Sequence, residues 1–319
     1  SRSAHSRLLV IFCATGLVMA PEPLRAERLH FTYLWHMEQP IYWPDQQSFG
    51  QDRYERAWES IQRTDGGAPH PENNLREIFG KADRVAGYQY RMRDAISAIS
   101  WAPEAGAQIS YSGGLIENIM SLGNAWQLGY SPTWYGSRRE ARGWATNGQS
   151  KPRADIVMFP FHHPLLPLCD ESTIRKEIQL YQSIYADAWG GSPGPSRGLF
   201  PPEMAFSTRL IQILAEEGID WVFVSSEKIS RACQDFPVVL GTGGVNCDPP
   251  NRADQVNPAQ NDYYRVTISR GCSPAEAYPY AYQPRYAQHV NPDTGQVYKV
   301  IVVGCAQHIG WQDGYNPIG

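Results

Sequence analysis

The sequence lacks the short patterns that mark common metal sites and nucleic-acid-binding surfaces. It contains no C-x-x-C pair, no H-E-x-x-H motif and no H-x-x-x-H spacing, so neither a structural zinc site nor a zinc-protease site is expected. It also lacks a basic stripe, and its 28 Lys and Arg are outnumbered by 32 Asp and Glu, for a net charge of −4. Clustered positive charge is needed to bind phosphate backbones. We therefore predict no nucleic-acid partner, no cofactor and no metal ion.

A hydrophobic run long enough to cross a membrane is also missing from the N-terminal segment. Arg2 and Arg7 precede the apolar residues 8–20, and small residues follow up to Ala26. This layout is typical of a secretory signal peptide. We predict a signal peptide over residues 1–26, a mature domain over residues 27–319, secreted or periplasmic localisation, and no membrane association after cleavage. A buried first strand is the alternative interpretation.

Cysteine is sparse, with six residues, of which Cys13 lies in the predicted signal peptide. Export would permit disulfides. The pairs Cys233–Cys247 and Cys272–Cys305 are candidates across loops, although connectivity cannot be read from spacing. An odd number in the mature part leaves one thiol without a partner in the chain.

Aromatic residues, in contrast, are abundant, with ten Trp and eighteen Tyr. Sugar rings stack on aromatic faces, although filling the core is the ordinary use of these side chains. The 319 residues, 42% of them hydrophobic, suffice for one large β/α barrel or two ordinary domains. Strand-like and helix-like segments alternate along the chain, which favours a mostly parallel sheet.

Four polar clusters stand at the ends of predicted strands. They are the stretches "HMEQP", "SGGLIEN", "FHHP" and "PPEM". In a β/α barrel the carboxyl ends of the strands line the mouth of the active site. Their repeated placement is the main indication that these polar residues act together.

Glu203 stands behind two prolines in "GLFPPEMAFS". Each proline fixes its φ and lacks an N–H, so the turn before Glu203 has little freedom. We expect the apolar residues 204–206 to pack around its stem and hold it in a partly desolvated cleft, as a nucleophile or an acid/base group requires. The alternative is a glutamate that interacts only with a helix N-terminus.

The other clusters supply further candidates. His36 and Gln39 lie among aromatic residues that include Trp43, and together they would form a sugar-binding wall, or else the aromatics belong to the core. Glu117 would bind a substrate hydroxyl, or is an ordinary first-turn carboxylate. His162 and His163 are adjacent, so in a strand at most one faces the mouth.

Taken in order, "LWHMEQPIYWP", "SGGLIEN" and "GLFPPEMAFS" resemble the first three motifs of glycoside hydrolase family 57, whose members act mainly on α-glucans. The stretch "FHHPLLPL" also looks like a family stretch. The resemblance implies an α/β fold with an incomplete, TIM-barrel-like (β/α)7 barrel and a retaining mechanism. It implies that Glu203 is the nucleophile. It also implies a substrate-binding set, for which we take His36, Gln39, Glu117, His163 and Trp43.

Two departures from the family pattern stand out. Glu38 occupies a position that is usually histidine, and an extra buried carboxylate there would raise a pKa in the site. The acid/base aspartate of the fourth motif is expected beyond Gly319, because the surroundings of Asp313, the nearest candidate, do not match that motif. We therefore expect the sequence to be the N-terminal part of a longer enzyme, with the barrel truncated before its C-terminal part.

These residues lead to three functional hypotheses. The first is a glycosidase of the amylase or 4-α-glucanotransferase type, which acts on an oligo- or polysaccharide through a glycosyl-enzyme on Glu203. The second is a metal-dependent polysaccharide deacetylase-like enzyme, which would need an Asp and two His at ligand spacing. The third is a catalytically inactive carbohydrate-binding relative.

Overall fold

The structure, a computed structural model, describes residues 31–43, 54–68, 74–146, 151–234, 257–259, 264–266, 275–277 and 279–306. Residues 32–319 form one unit of the chain. The predicted signal peptide and Asp313 lie outside the described residues. So do Cys247 and Cys272, which leaves both candidate disulfides as predictions.

The described residues form strands that alternate with helices. The strands are β1 (Leu34–Met37), β2 (Ala107–Tyr111), β3 (Ala154–Val157), β4 (Gly198–Leu199), β5 (Trp221–Ser225), β6 (Tyr264–Val266), β7 (Ala275–Ala277), β8 (Arg285–Val290) and β9 (Val297–Cys305). The helices are α1 (Ala57–Asp65), α2 (Leu75–Gly80), α3 (Ala82–Gln89), α4 (Arg91–Ala98), α5 (Gly113–Asn124), α6 (Gly136–Arg142), α7 (Glu171–Trp189), α8 (Leu210–Glu216) and α9 (Ser226–Arg231). Within the described ranges, no helix is both long and apolar enough to span a membrane.

Most of the strands join into parallel sheets. Strands β1, β2 and β3 are parallel neighbours, and β4, β5 and β9 form a second parallel set, with β8 antiparallel beside β9. Met158 and Leu199 form a parallel bridge between the two sets, where the Met158 N–H donates to the Gly198 carbonyl at 3.0 Å. The prediction of a mostly parallel α/β sheet is confirmed.

Helix α7 shows how the sequence determines a local element. Ile174, Ile178, Tyr181 and Tyr185 follow one another at spacings of four, three and four, and they form a buried apolar face, each at most 1% exposed. The Asp170 carboxylate caps the first turn by accepting from the Thr173 N–H at 2.9 Å. The helix ends at Gly190, whose φ of 80° is easily adopted only by glycine.

Residues 75–98 form three short helices rather than one continuous helix. The structure has α2, α3 and α4 there, because Lys81 is extended (φ −60°, ψ 129°) and Tyr90 also leaves the helical region (φ −141°, ψ −15°). The Arg84 guanidinium donates to the Ile78 carbonyl at 2.8 Å, which satisfies an acceptor at the first break. Gly80, directly before the first break, is a residue that often marks a helix end, whereas neither proline nor glycine adjoins Tyr90 at the second break.

Candidate active site

The polar clusters meet at one edge of the sheet. His36 lies in β1, Ser112 follows β2, Phe159 follows β3 by two residues, and Phe200 follows β4. Because these strands are parallel neighbours, their carboxyl ends lie side by side. The expectation from the sequence that strand ends would gather these stretches agrees with the structure.

Glu203 lies on a strained corner. Pro201 is extended (φ −73°, ψ 143°), and Glu203 (φ 55°, ψ 21°) and Met204 (φ 50°) both occupy the left-handed region. That region costs an L-residue roughly 1–2 kcal/mol. The Lys228 ammonium donates to the Met204 carbonyl at 3.0 Å, and the Met204 N–H donates to the Pro201 carbonyl at 2.9 Å. The surrounding contacts therefore hold two strained residues at the position of the predicted nucleophile.

The carboxylate of Glu203 lies beside His163. Glu203 Oε1 is 3.7 Å from His163 Nε2, and the glutamate side chain is 72% exposed. The expected partial desolvation is wrong, because Glu203 stands at the tip of the turn, while Pro202 beneath it is buried. A carboxylate in this position is accessible to a molecule that enters from solvent.

His36 sits against aromatic rings near this pair. Its ring centroid is 4.5 Å from that of Phe159, 5.0 Å from that of Phe200 and 6.2 Å from that of His163. Although part of the residue is open to solvent, burial of the imidazole among these neighbours, with His163 opposing a second positive charge, lowers the pKa of His36 to about 4.

His36 is therefore neutral at neutral pH, with one ring nitrogen as donor and the other as acceptor. Its Nδ1 lies 2.9 Å from Ser110 Oγ, which leaves the opposite nitrogen for another partner. A neutral imidazole so arranged suits a sugar hydroxyl.

Gln39 is fixed by two tyrosines. Its Nε2 donates to the Tyr88 hydroxyl at 3.2 Å, and its Oε1 accepts from the Tyr42 hydroxyl at 2.6 Å. Both ends of the amide are thus oriented without a ligand.

Trp43 is tied to the region of helix α1. The Arg63 guanidinium carbon lies 5.0 Å from the centroid of its ring, and the Glu55 N–H donates to the Trp43 carbonyl at 3.0 Å. These contacts are those of a packed side chain, and a sugar-stacking role for Trp43 stays a prediction.

Glu117 has a different charged partner from Glu203. Its Oε2 is 3.5 Å from Arg56 Nε, and its side chain is 14% exposed. It lines a cavity of about 500 Å³ together with Asn124 of α5 and Asp187 of α7. The charge of Glu117 also contributes to raising the pKa of His162. The predicted contact of Glu117 with substrate stays a prediction.

Two further ionisable groups border the cluster. Burial raises the pKa of Glu38, while the charge of His163 acts in the opposite sense. His162 turns away, with its Nδ1 2.7 Å from Glu177 Oε1 on α7, and this hydrogen bond raises the pKa of His162. Only one histidine of the adjacent pair thus faces Glu203, as expected, although the pair lies after β3 rather than in it.

Some supporting residues were missed from the sequence. Ser110 positions His36, Tyr88 positions Gln39, and Lys228 holds the corner of Glu203. Ser110 carried a detectable signal, since it is a polar residue within the apolar run of β2. Within the portion of the chain that the structure describes, no group of three His, Cys, Asp or Glu side chains is arranged to hold a metal ion.

Comparison with known proteins decides the family. The model of glycosyl hydrolase family 57 matches residues 32–271. The chain belongs to this family. The resemblance inferred from the three motifs is thus confirmed, and the matched region contains all six residues of the predicted site.

Among individual family relatives, the chain is similar to an α-amylase of Niallia circulans, with 25% identity over 351 residues. That match covers 99% of this chain and 26% of the relative, so the chain spans about a quarter of the length of this curated protein.

Solved structures with a similar arrangement include two enzymes. One is a 4-α-glucanotransferase from Thermococcus litoralis (TM-score 0.47, 16% identity, 91% of this chain and 29% of that chain). Another is a family 57 branching enzyme from Thermococcus kodakaraensis (TM-score 0.46, 14% identity, 89% of this chain and 49% of that chain).

Proposed function

We propose that the chain carries the nucleophile of a retaining glycosidase or glucanotransferase that acts on α-glucans. The observation that supports this most directly is the carboxylate of Glu203, fixed on a left-handed corner at the strand ends, 3.7 Å from His163. Membership of family 57 and the similarity to an α-amylase support the substrate class.

In this proposal the Glu203 carboxylate attacks the anomeric carbon of a bound glucosyl unit. A bond forms between that carbon and the carboxylate oxygen while the bond to the leaving oxygen breaks, and a general acid gives that oxygen a proton. Water or the hydroxyl of another sugar then attacks the same carbon. The deprotonated general acid takes the proton of the attacking group, and the bond between the carbon and Glu203 breaks. The high exposure of Glu203 is consistent with attack on a long, solvent-borne substrate.

The neighbouring residues would bind the sugar during these steps. The neutral imidazole of His36 and the fixed amide of Gln39 offer hydrogen bonds to hydroxyls. His163, beside Glu203, would orient the carboxylate. A retaining pair needs a second carboxyl about 5–5.5 Å from the nucleophile. The family resemblance implies an aspartate of the fourth motif in that role.

We also propose that the described sheet is part of an incomplete (β/α)7 barrel whose mouth is the edge that carries His36 and Glu203. Six strands of the described sheet are parallel, and the candidate residues follow their carboxyl ends, as in barrel enzymes. Secretion through the predicted signal peptide remains part of the proposal.

A trapping experiment tests the nucleophile. A maltooligosyl fluoride with a second fluorine on the reducing-end sugar ring needs little acid assistance, because fluoride leaves without a proton, and the ring fluorine slows breakdown of the glycosyl-enzyme. Mass spectrometry should find the glycosyl group on the peptide that contains Glu203. Glu203→Gln should remove the label, whereas the matched control Glu171→Gln, at a position of α7 whose side chain is 59% exposed, should keep it. A label on another carboxylate, or equal labelling of Glu203→Gln, would contradict the assignment.

A further inference from the structure

A cavity of about 430 Å³ lies at the end of the sheet opposite to Glu203. Six of the residues that line it are Arg139, Arg142, Trp189, Gly191, Ser192 and Pro193. They belong to the end of α6 and the segment after α7, which lead into β3 and β4 at their amino ends. The cavity is therefore remote from the carboxyl ends of the strands, where the candidate active site lies.

The two arginines of this cavity donate to neutral acceptors. Arg142 donates to the Tyr185 hydroxyl and to the carbonyls of Pro193 (3.0 Å) and Gly194 (2.7 Å). Arg139 donates from Nε to the Trp189 carbonyl at 3.1 Å. Among the described residues, neither guanidinium has a carboxylate within 4.0 Å. Two positive charges therefore share the cavity without an anionic partner at contact distance.

Two of the donors at the cavity also lack an acceptor. Arg142 Nε and Trp189 Nε1 are buried without a hydrogen-bond partner, and Trp189 is only 3% exposed. Burial lowers the pKa of Arg142, while the more distant charge of Asp155 acts against this. A buried donor without an acceptor is costly, so the hydrogen-bonding capacity of this region is not fully used within the chain.

We propose that this cavity binds a small tetrahedral oxyanion, either free phosphate or sulfate or a phosphate group carried by a sugar. Guanidinium groups present paired N–H donors that match such oxygens. The volume exceeds that of phosphate alone and lies within the range of small-ligand sites. The site goes beyond the proposed glycosidase function and does not depend on it.

The direct test is calorimetric titration of the full chain with inorganic phosphate near pH 7. We expect saturable binding of one phosphate per chain. Arg142→Gln and Arg139→Gln should each weaken it about tenfold or more, because charge-assisted hydrogen bonds are lost. Arg209→Gln is the matched control, since Arg209 also donates to a carbonyl, that of Pro167 at 2.9 Å. Absence of saturable binding, or an equal loss in Arg209→Gln, would overturn the proposal.

Arg142 also hydrogen-bonds the carbonyls of Pro193 and Gly194 in the segment after α7, so its substitution would destabilise the fold. A second pair of variants leaves Arg142 in place. A Cβ at Gly191 would meet nothing within 4 Å, and Gly191 does not have a positive φ. Gly191→Asp should therefore keep both arginines in place and abolish phosphate binding by supplying a competing carboxylate. Gly191→Asn, of the same size but neutral, should retain most of it. Equal affinity in the two variants would mean that the arginines serve only as structural ties.

Titrations with glucose 1-phosphate and with glucose distinguish the possible sources of the oxyanion. Tighter binding of the sugar phosphate than of inorganic phosphate would identify a phosphorylated sugar as the ligand class. Equal binding of both would identify the free anion. Binding of glucose with an affinity equal to that of its phosphate would refute an oxyanion site.

Discussion

Glu203 and Glu117 both follow the carboxyl ends of parallel strands, yet they differ in exposure and in local backbone conformation. Glu203 is 72% exposed on a left-handed turn beside His163. Glu117 is 14% exposed, lies one turn inside α5 and faces Arg56. On the turn, the side chain of Glu203 projects into solvent at the strand ends. On a helix, the direction of a side chain is set by its position in the helical repeat. Two carboxylates that follow strands of the same sheet edge thus differ in exposure and in their partners.

The largest expected effect comes from neutralising the two carboxylates in turn. Glu203→Gln should lower kcat on maltooligosaccharides by on the order of 10⁴-fold in an active form that contains this chain, as for other groups that act on the reacting bond. Glu117→Gln should lower it less than about tenfold, with a loss of thermal stability from the unpaired Arg56. Steady-state kinetics and thermal unfolding measure both. Equal losses of kcat in Glu203→Gln and Glu117→Gln would contradict the expected difference between the two carboxylates.

The helix that carries Glu117 is held in place by a close approach. A Cβ on Gly113 would lie 2.3 Å from Phe161 Cδ2 and 2.9 Å from Phe161 Cα, so the neighbouring loop would have to move. Gly113→Ala should therefore lower the free energy of unfolding by about 1–3 kcal/mol. Gly136→Ala, at an open helical position, should be neutral or slightly stabilising. Denaturant unfolding compares the two variants. Equal free energies of unfolding would show that the loop that carries Phe161 moves aside without loss of stability.

The corner that carries Glu203 has its own support in Lys228. Removing the ammonium with Lys228→Met takes away the hydrogen bond to the Met204 carbonyl. We expect kcat to fall about tenfold with little change in KM, since a misplaced nucleophile weakens the transition state more than binding. The exposed Lys176 on α7 provides the control substitution Lys176→Met. A change confined to KM would place Lys228 in substrate binding instead.

The smallest predicted effect concerns the charge of His36. Its pKa of about 4 lies below its ordinary value of 6.5. Between these values the unfolded chain binds a proton that the folded chain does not. The contribution of His36 to stability therefore falls as the pH drops from about 6.5 to about 4, and levels off below that.

NMR titration of His36 measures the pKa itself. His163→Gln should raise the midpoint only in part, because burial is the larger cause. A midpoint near 6.5 in the unchanged chain would contradict the aromatic enclosure, and a full return to 6.5 in His163→Gln would assign the whole shift to charge.

Local patterns predicted much of this arrangement. The polar stretches at the ends of β1, β2 and β3 depend on neighbours in the chain, and these were found from the sequence. The contacts of His36 with Ser110 and of Gln39 with Tyr88 join residues 74 and 49 positions apart, which no local pattern encodes. The two prolines before Glu203 indicated a stiff turn. They could not indicate the sign of φ at the glutamate, or that its side chain would be exposed.

The parallel bridge between Met158 and Leu199 links the integrity of the sheet to that of the candidate active site. It is the line along which the β1–β3 set joins the β4–β9 set, and His36 belongs to one side while Glu203 belongs to the other. The rings of Phe159 and Phe200 pack against each other across that line, with their centroids 5.8 Å apart. Both rings also contact His36. Separation of the two sets would move His36, the predicted sugar-binding residue, away from Glu203, the predicted nucleophile, without breaking any helix, so this bridge ties the proposed activity to the joining of the two sets.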